Sequence, residues 1–176
     1  MYEVHDNFLS DSDFEAVREA WAGKPSTNYL WVARGEMFDW MIPIVRKAAQ
    51  IMKIQEFGGV SYWSHNNTRP IDWHFDSDEL TFDLTGVIKQ PHFGIVLYLW
   101  AENVVGGELK FRDQVKIKPI ENRAVVWSGA EEHRVMRFSG NRYSLAFNIW
   151  DDQPEDTKGE YTKMAGGWMK TNLKGI

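Results

Sequence analysis

The stretch Ile71-Asp72-Trp73-His74-Phe75-Asp76-Ser77-Asp78 sets an imidazole and a carboxylate two residues apart. In an extended strand alternate side chains share a face, so His74 and Asp76 would project together, ~7 Å apart. One His and one Asp side by side supply two of the three ligands of a facial triad, which leaves a divalent metal open positions. The same pair also suits a surface strand whose His and Asp only hydrogen-bond, so a third ligand decides. The candidate is His133, in Glu131-Glu132-His133-Arg134-Val135. It follows the apolar run Ala124-Val125-Val126-Trp127, which reads as a buried strand.

Arg142 comes nine residues after His133, in Asn141-Arg142-Tyr143-Ser144-Leu145. Ser139-Gly140-Asn141 between them reads as a hairpin turn. A two-residue loop at Ser139-Gly140 pairs His133 with Ala146 and puts Arg142 and Ser144 on the same face. Arg142 then lies ~13 Å along from the His133 level. That gap suits a five-carbon dicarboxylate with metal at one end and guanidinium at the other. Arg grips a carboxylate by a two-pronged, charge-assisted contact that Lys cannot reproduce. A three-residue loop would turn Arg142 to the opposite face.

These residues need a scaffold, and the chain supplies two kinds of element. Residues 1–9 read as a short strand, and 29–32 as another. Ser10 and Asp13 resemble a capping box, and Phe14, Val17 and Trp21 recur at helical spacing, predicting a helix over 11–22. Asp39 is a candidate cap for a second helix with Pro43 in its first turn. Met41, Ile44, Val45, Ala48, Ile51 and Met52 form its apolar stripe, the face that would cover a sheet. From residue 55 onward the pattern is β, with strands expected at 55–64, 71–76, 93–100, 107–111, 114–118, 123–128, 132–138 and 142–150. The fold class is therefore mostly β with supporting helices, a jelly roll. One domain spans 1–176, with a β core at about 55–150 and helical support at about 10–54. Residues 77–92 read as a long polar loop leaving the metal pair, and such a loop is usually a lid or binding loop. Its Asp78, Glu79 and Asp83 suggest a cationic or hydroxyl-bearing substrate. The charged tail from Asp151 is expected to pack only through Trp168.

Composition narrows the function. The 176 residues carry a net charge of −5 and no Lys/Arg block, so nucleic acid is an unfavoured partner. There is no Cys, which removes disulfides, thiolate metal sites and thiol nucleophiles, and fits a reducing, cytoplasmic setting. The acidic first twenty residues hold no signal-peptide core, and no apolar run reaches the ~18 residues that span a bilayer. Oligomeric state is not written in the sequence.

At His74-x-Asp76, His133 and Arg142-x-Ser144 the chain resembles the 2-oxoglutarate- and Fe(II)-dependent dioxygenases of the prolyl-4-hydroxylase type. Val96-Leu97-Tyr98-Leu99, Gly106-Gly107-Glu108-Leu109, Pro119 and Val125-Val126-Trp127 run in that family's order. The resemblance covers about residues 55–150. It implies a double-stranded β-helix, cupin-like, with His74, Asp76 and His133 as both metal ligands and catalytic centre. It further implies Fe(II), 2-oxoglutarate as co-substrate, O2, and ascorbate as an accessory. The distal carboxylate of 2-oxoglutarate would meet Arg142, with Ser144, Tyr98 and Tyr62 as further contacts. The expected reaction is hydroxylation of an aliphatic C–H, releasing succinate and CO2, on a small molecule or a peptidyl side chain. Trp73, Trp100 and Trp127 would keep water out, and His5, His65 and His92 match no ligand position and read as surface histidines. Two alternatives stand beside this one: a cupin-like metalloenzyme without 2-oxoglutarate, and a non-catalytic jelly-roll binding module.

Overall fold

The computed structural model describes residues 1–27, 29–66, 68–164 and 167–170. Two helices lie on one face of a six-stranded antiparallel sheet, and a four-stranded sheet faces its other side. The large sheet has the order β1-β8-β5-β10-β3-β2, built from β1 (Tyr2–His5), β2 (Leu30–Ala33), β3 (Gly59–His65), β5 (Phe93–Gly106), β8 (Ala124–Ser128) and β10 (Phe138–Trp150). The small sheet has the order β4-β9-β6-β7, from β4 (Ile71–His74), β6 (Leu109–Phe111), β7 (Lys116–Ile117) and β9 (His133–Val135). This is the expected mostly-β jelly roll.

Helix α1 (Asp11–Trp21) starts where Ser10 accepts the Asp13 N–H at 3.2 Å, and it buries Phe14, Val17 and Trp21. Helix α2 (Ile42–Ile51) has Pro43 in its first turn, but its cap position is Met41 and not Asp39. A helix whose first turn carries Pro has fewer N–H groups needing a cap. Its Ile44, Val45 and Ala48 meet Ile95, Leu97 and Phe147 in the larger core. Val96, Tyr98, Val125 and Trp127 point the other way, against Leu109, Phe111 and Ile117 in a smaller core between the sheets. Strand alternation thus gives β5 one face for each core.

Four expectations fail here. Residues 132–138 and 142–150 do not form a hairpin: β9 pairs with β4 and β6, while β10 pairs with β3 and β5. Ser139-Gly140 lies inside β10 at a register shift, with Gly140 at φ 93. Gly is the residue that permits this backbone, and its presence looks like a turn when it marks a bulge. Second, the 77–92 loop holds helix α3 (Glu79–Thr85), capped by Asp78 and closed by Gly86 at φ 74. Only Leu80 of α3 is buried, so it has no apolar stripe to read. Third, a register shift between Tyr143 and Ser144 leaves Leu99 unpaired, and beyond it Trp100 turns to the helix side against Tyr143. Fourth, the tail forms a 3-10 turn (Glu155–Thr157) and a hairpin of β11 (Tyr161–Met164) and β12 (Gly167–Lys170). Its hairpin bonds α3 through Trp168 to Asp83 at 2.9 Å and Lys163 to Glu79, and its 3-10 turn bonds the α3 cap Asp78. Among the described residues no helix is long and apolar enough to cross a membrane.

Candidate metal centre and its two cavities

His74 closes β4 and His133 opens β9, and the two are direct cross-strand partners. Asp76 lies two residues past the strand end, where the chain turns inward and buries it. One ligand atom from each of His74, Asp76 and His133 lies within 4.8 Å of the others, and His133 Nε2 is 3.9 Å from Asp76 Oδ2. The sequence selected these three residues, and the structure brings them together.

Each imidazole is oriented by its own chain. His74 Nδ1 donates to the Asp72 carbonyl at 2.7 Å, and His133 Nδ1 donates to the Glu131 carbonyl at 3.0 Å. A carbonyl can only accept, so both Nδ1 atoms carry protons and both Nε2 atoms are free to ligate. Burial pushes the His133 imidazole down to about 4, so it is neutral at pH 7. Trp127 Nε1 donates to Asp76 Oδ2 at 3.2 Å. With its amide nitrogen turned to the carboxylate, Asn148 does the same at 3.2 Å. Two imidazoles and a carboxylate so arranged form the donor set of a facial triad, which fits Fe(II).

Beside the triad is a narrow cavity of about 50 Å3 that reaches Tyr98, Arg142 and Ser144. Arg142 is 3% exposed. Its Nη1 donates to His65 Nδ1 at 3.0 Å, and its guanidinium lies 5.1 Å from the Tyr98 and Phe138 ring centres. Among the described residues no carboxylate pairs with it. Arg142 Nε and Tyr98 Oη are both buried without a hydrogen-bond partner. Burial pushes the Tyr98 phenol up, with Arg142 acting against it, so it remains a proton donor. A buried cation and two orphaned polar atoms in one cavity suit an anionic group of a ligand. Ser144 Oγ donates to the His65 carbonyl at 3.4 Å and lines the same space.

Tyr62 is not there. It faces the helices, packed against Trp40 and Phe147. Its strand neighbours Trp63 and His65 face the cavity instead, so His65 is a wall residue and not a surface histidine. Of the three expected Trp walls only Trp127 lines this cavity. Trp73 is held between Arg112 and Arg134, at 4.3 and 4.8 Å, and Trp100 packs toward the helices. The residues missed by sequence reasoning are Trp63, His65 and Asn148, and only strand parity with a known register could have indicated them.

A second cavity, about 310 Å3, meets the centre through His74 and Asp76 and contains neither Arg142 nor Tyr98. Its walls include Tyr29, Trp63, Trp168 and Asp156. Burial, and then the Asp78 charge, push the Asp156 carboxyl up to about 7. The acids expected to attract substrate have structural partners: Asp78 bonds Thr81 and the Glu155 N–H, Asp83 bonds Trp168, and Glu79 bonds Lys163.

The family model described as the 2OG-Fe(II) oxygenase superfamily matches residues 59–150. No curated protein is similar to the chain by sequence comparison. Among solved structures, the viral collagen prolyl hydroxylase of Paramecium Bursaria Chlorella virus-1, in its 2OG complex, is 21% identical. It superposes with a TM-score of 0.62 over 86% of this chain and 96% of that one. A Pseudomonas putida prolyl-4-hydroxylase gives 16% identity and TM-score 0.58, over 86% and 88%. A Trichoplax adhaerens prolyl hydroxylase, in complex with a hypoxia inducible factor peptide fragment, gives 13% and 0.58, over 89% and 86%. At these identities the likeness is one of fold.

Proposed function

Because the chain belongs to the 2OG-Fe(II) oxygenase superfamily, we propose that His74, Asp76 and His133 hold one Fe(II) and that Arg142, Tyr98 and Ser144 hold 2-oxoglutarate. The observation that carries this reading is the buried Arg142, a cation without a carboxylate partner among the described residues, in a cavity that also contains His74 and His133. Arg142 would take one carboxylate through its free Nε, and Tyr98 Oη would donate to the same group. A cupin-like enzyme without the oxoacid would leave both groups idle.

Bound iron would supply the oxygen chemistry, in which one atom of O2 enters the substrate C–H and the other enters succinate as CO2 leaves. The protein's own part is geometric. The Asp72 and Glu131 carbonyls fix both imidazoles, Trp127 and Asn148 hold the carboxylate, and Val96, Leu109 and Val135 keep water from the narrow cavity. The prolyl hydroxylases that share the fold support an aliphatic C–H as target, peptidyl or free. Exposed Phe75, Phe82, Leu84, Val87 and Ile88, on the segment leaving the metal pair, support a peptidyl substrate. The cysteine-free sequence supports a reducing, cytoplasmic setting.

Anaerobic titration of the iron-loaded protein with 2-oxoglutarate tests the reading. The expected result is a metal-to-ligand absorption band in the visible that saturates at one equivalent. Iron binding with no band on adding the oxoacid would remove 2-oxoglutarate.

A further inference from the structure

In the 310 Å3 cavity one acidic group keeps an oxygen without a partner. Asp76 is the metal carboxylate. Glu79 pairs with Lys163, whose ammonium lies 5.8 Å from the Trp168 ring centre. Asp156 accepts the Glu79 N–H and lies near the Lys163 charge, yet of the three it alone keeps a buried carboxylate oxygen, Oδ1, without a hydrogen-bond partner. It is also held in place from the α3 cap: Asp78, two residues after Asp76, accepts the Glu155 and Asp156 N–H groups at 2.8 and 3.4 Å and so docks the 3-10 turn. The other walls include Tyr29, Trp63 and Trp168, with Phe75, Asn148 and the Lys163 that Glu79 neutralises.

A carboxylate oxygen that is buried and unbonded costs free energy until a donor arrives. Electron-rich rings beside it favour a donor that carries positive charge. The smaller cavity, at about 50 Å3, has no room for a second side chain beside 2-oxoglutarate, so the larger one is left for the substrate. Resting on the oxygenase reading, we propose that Asp156 selects the substrate by accepting a hydrogen bond from a protonated nitrogen on an aliphatic side chain held between Tyr29, Trp63 and Trp168. The substrate is thus a lysyl- or arginyl-type side chain, its aliphatic stem against the rings and beside the metal.

Calorimetry on the Mn(II)- and 2-oxoglutarate-loaded protein tests this without turnover. The probes are Nα-acetyl-lysine and Nα-acetyl-arginine methylamides, with their neutral isosteres of norleucine and citrulline. The cations are expected to bind at least tenfold more tightly than the isosteres. Asp156→Asn should bring the two within twofold, and Asp156→Glu should restore a preference. Free lysine or arginine against a short peptide containing it separates a metabolite from a peptidyl source. Equal binding of cation and isostere by the wild-type protein would overturn the proposal, and that arm needs no variant to fold. Selectivity that survives Asp156→Asn would overturn it equally. The absorption band of the iron protein reports separately: a band without cation selectivity sinks Asp156 alone, and selectivity without a band supports Asp156 while removing the oxygenase reading.

Discussion

His133 is both a metal ligand candidate and the residue through which pH should act on the metal-free protein. Burial holds its folded pKa at about 4, below the ordinary 6.5. Between those values the unfolded chain binds the extra proton, so stability rises with pH there and is lost as pH falls from about 6.5 toward 4. The His133 share of that change is roughly 2 kcal/mol between pH 7 and pH 4.5; because Asp156, raised to about 7, acts with opposite sign over the same window, it is read as the difference in urea unfolding between metal-free wild-type and His133→Gln protein. The pH slopes of the two proteins should differ by that amount, and equal slopes would refute the account. Replacing His74 or His133 by Ala should abolish Mn(II) binding in calorimetry, and full-affinity binding by either would remove it from the triad. Arg142→Ala should weaken 2-oxoglutarate by ~30-fold or more, about 2 kcal/mol, while metal affinity holds. Arg142→Lys should fall between, keeping charge without the fork. A twofold effect of Arg142→Ala would return Arg142 to a structural role. The four main residues were legible from type and spacing. The pairing argued for them was not: His133 and Arg142 come from different sheets. Tyr62 was misplaced because a strand's face cannot be known before its register.

The elements around the centre are tied by one side chain, Asp78. It is fully buried, caps α3 through Thr81, and docks the turn at Glu155–Thr157. Burial alone would raise its carboxyl, but the hydrogen bonds from Thr81 and the Glu155, Thr81 and Asp156 backbone hold it below the usual carboxylate range. Asp78→Ala removes a helix cap, worth ~1 kcal/mol, and orphans further donors at about 1–3 kcal/mol each. It should lower stability by roughly 2–4 kcal/mol and speed limited proteolysis within residues 77–92 and 151–160 together. Cleavage confined to one of these segments would show that they are not coupled. A lone Asp before Glu79-Leu80-Thr81 and a Gly at 86 were the available signals for α3. They were hidden because a seven-residue helix with one buried side chain has almost no periodicity. Helices α1 and α2 were plain because each lays a full stripe on the sheet.

At the scale of the molecule, the large sheet separates two cores that do different work. Ile95, Leu97 and Phe147 pack with the helices and hold the fold; Val96, Tyr98 and Trp127 face the small sheet and the site. The order of elements made the jelly roll legible. The division between cores was not, because β5 is apolar on both faces and reads as one continuous hydrophobic run. Stability and ligand binding can therefore be changed separately. A ligand at 100 times its Kd stabilises the fold by ~2.7 kcal/mol, or roughly 5–10 °C for a chain of this size. Wild-type protein should therefore show one rise in Tm with Mn(II) and a second when 2-oxoglutarate is added. Ile95→Ala, in the helix-side core, should cost about 2–5 kcal/mol and lower every Tm while keeping both increments. Arg142→Ala should keep the metal increment and lose the second. Were Ile95→Ala to erase the 2-oxoglutarate increment, the sheet would be transmitting core packing to the site, and the two faces of β5 could not be treated as independent.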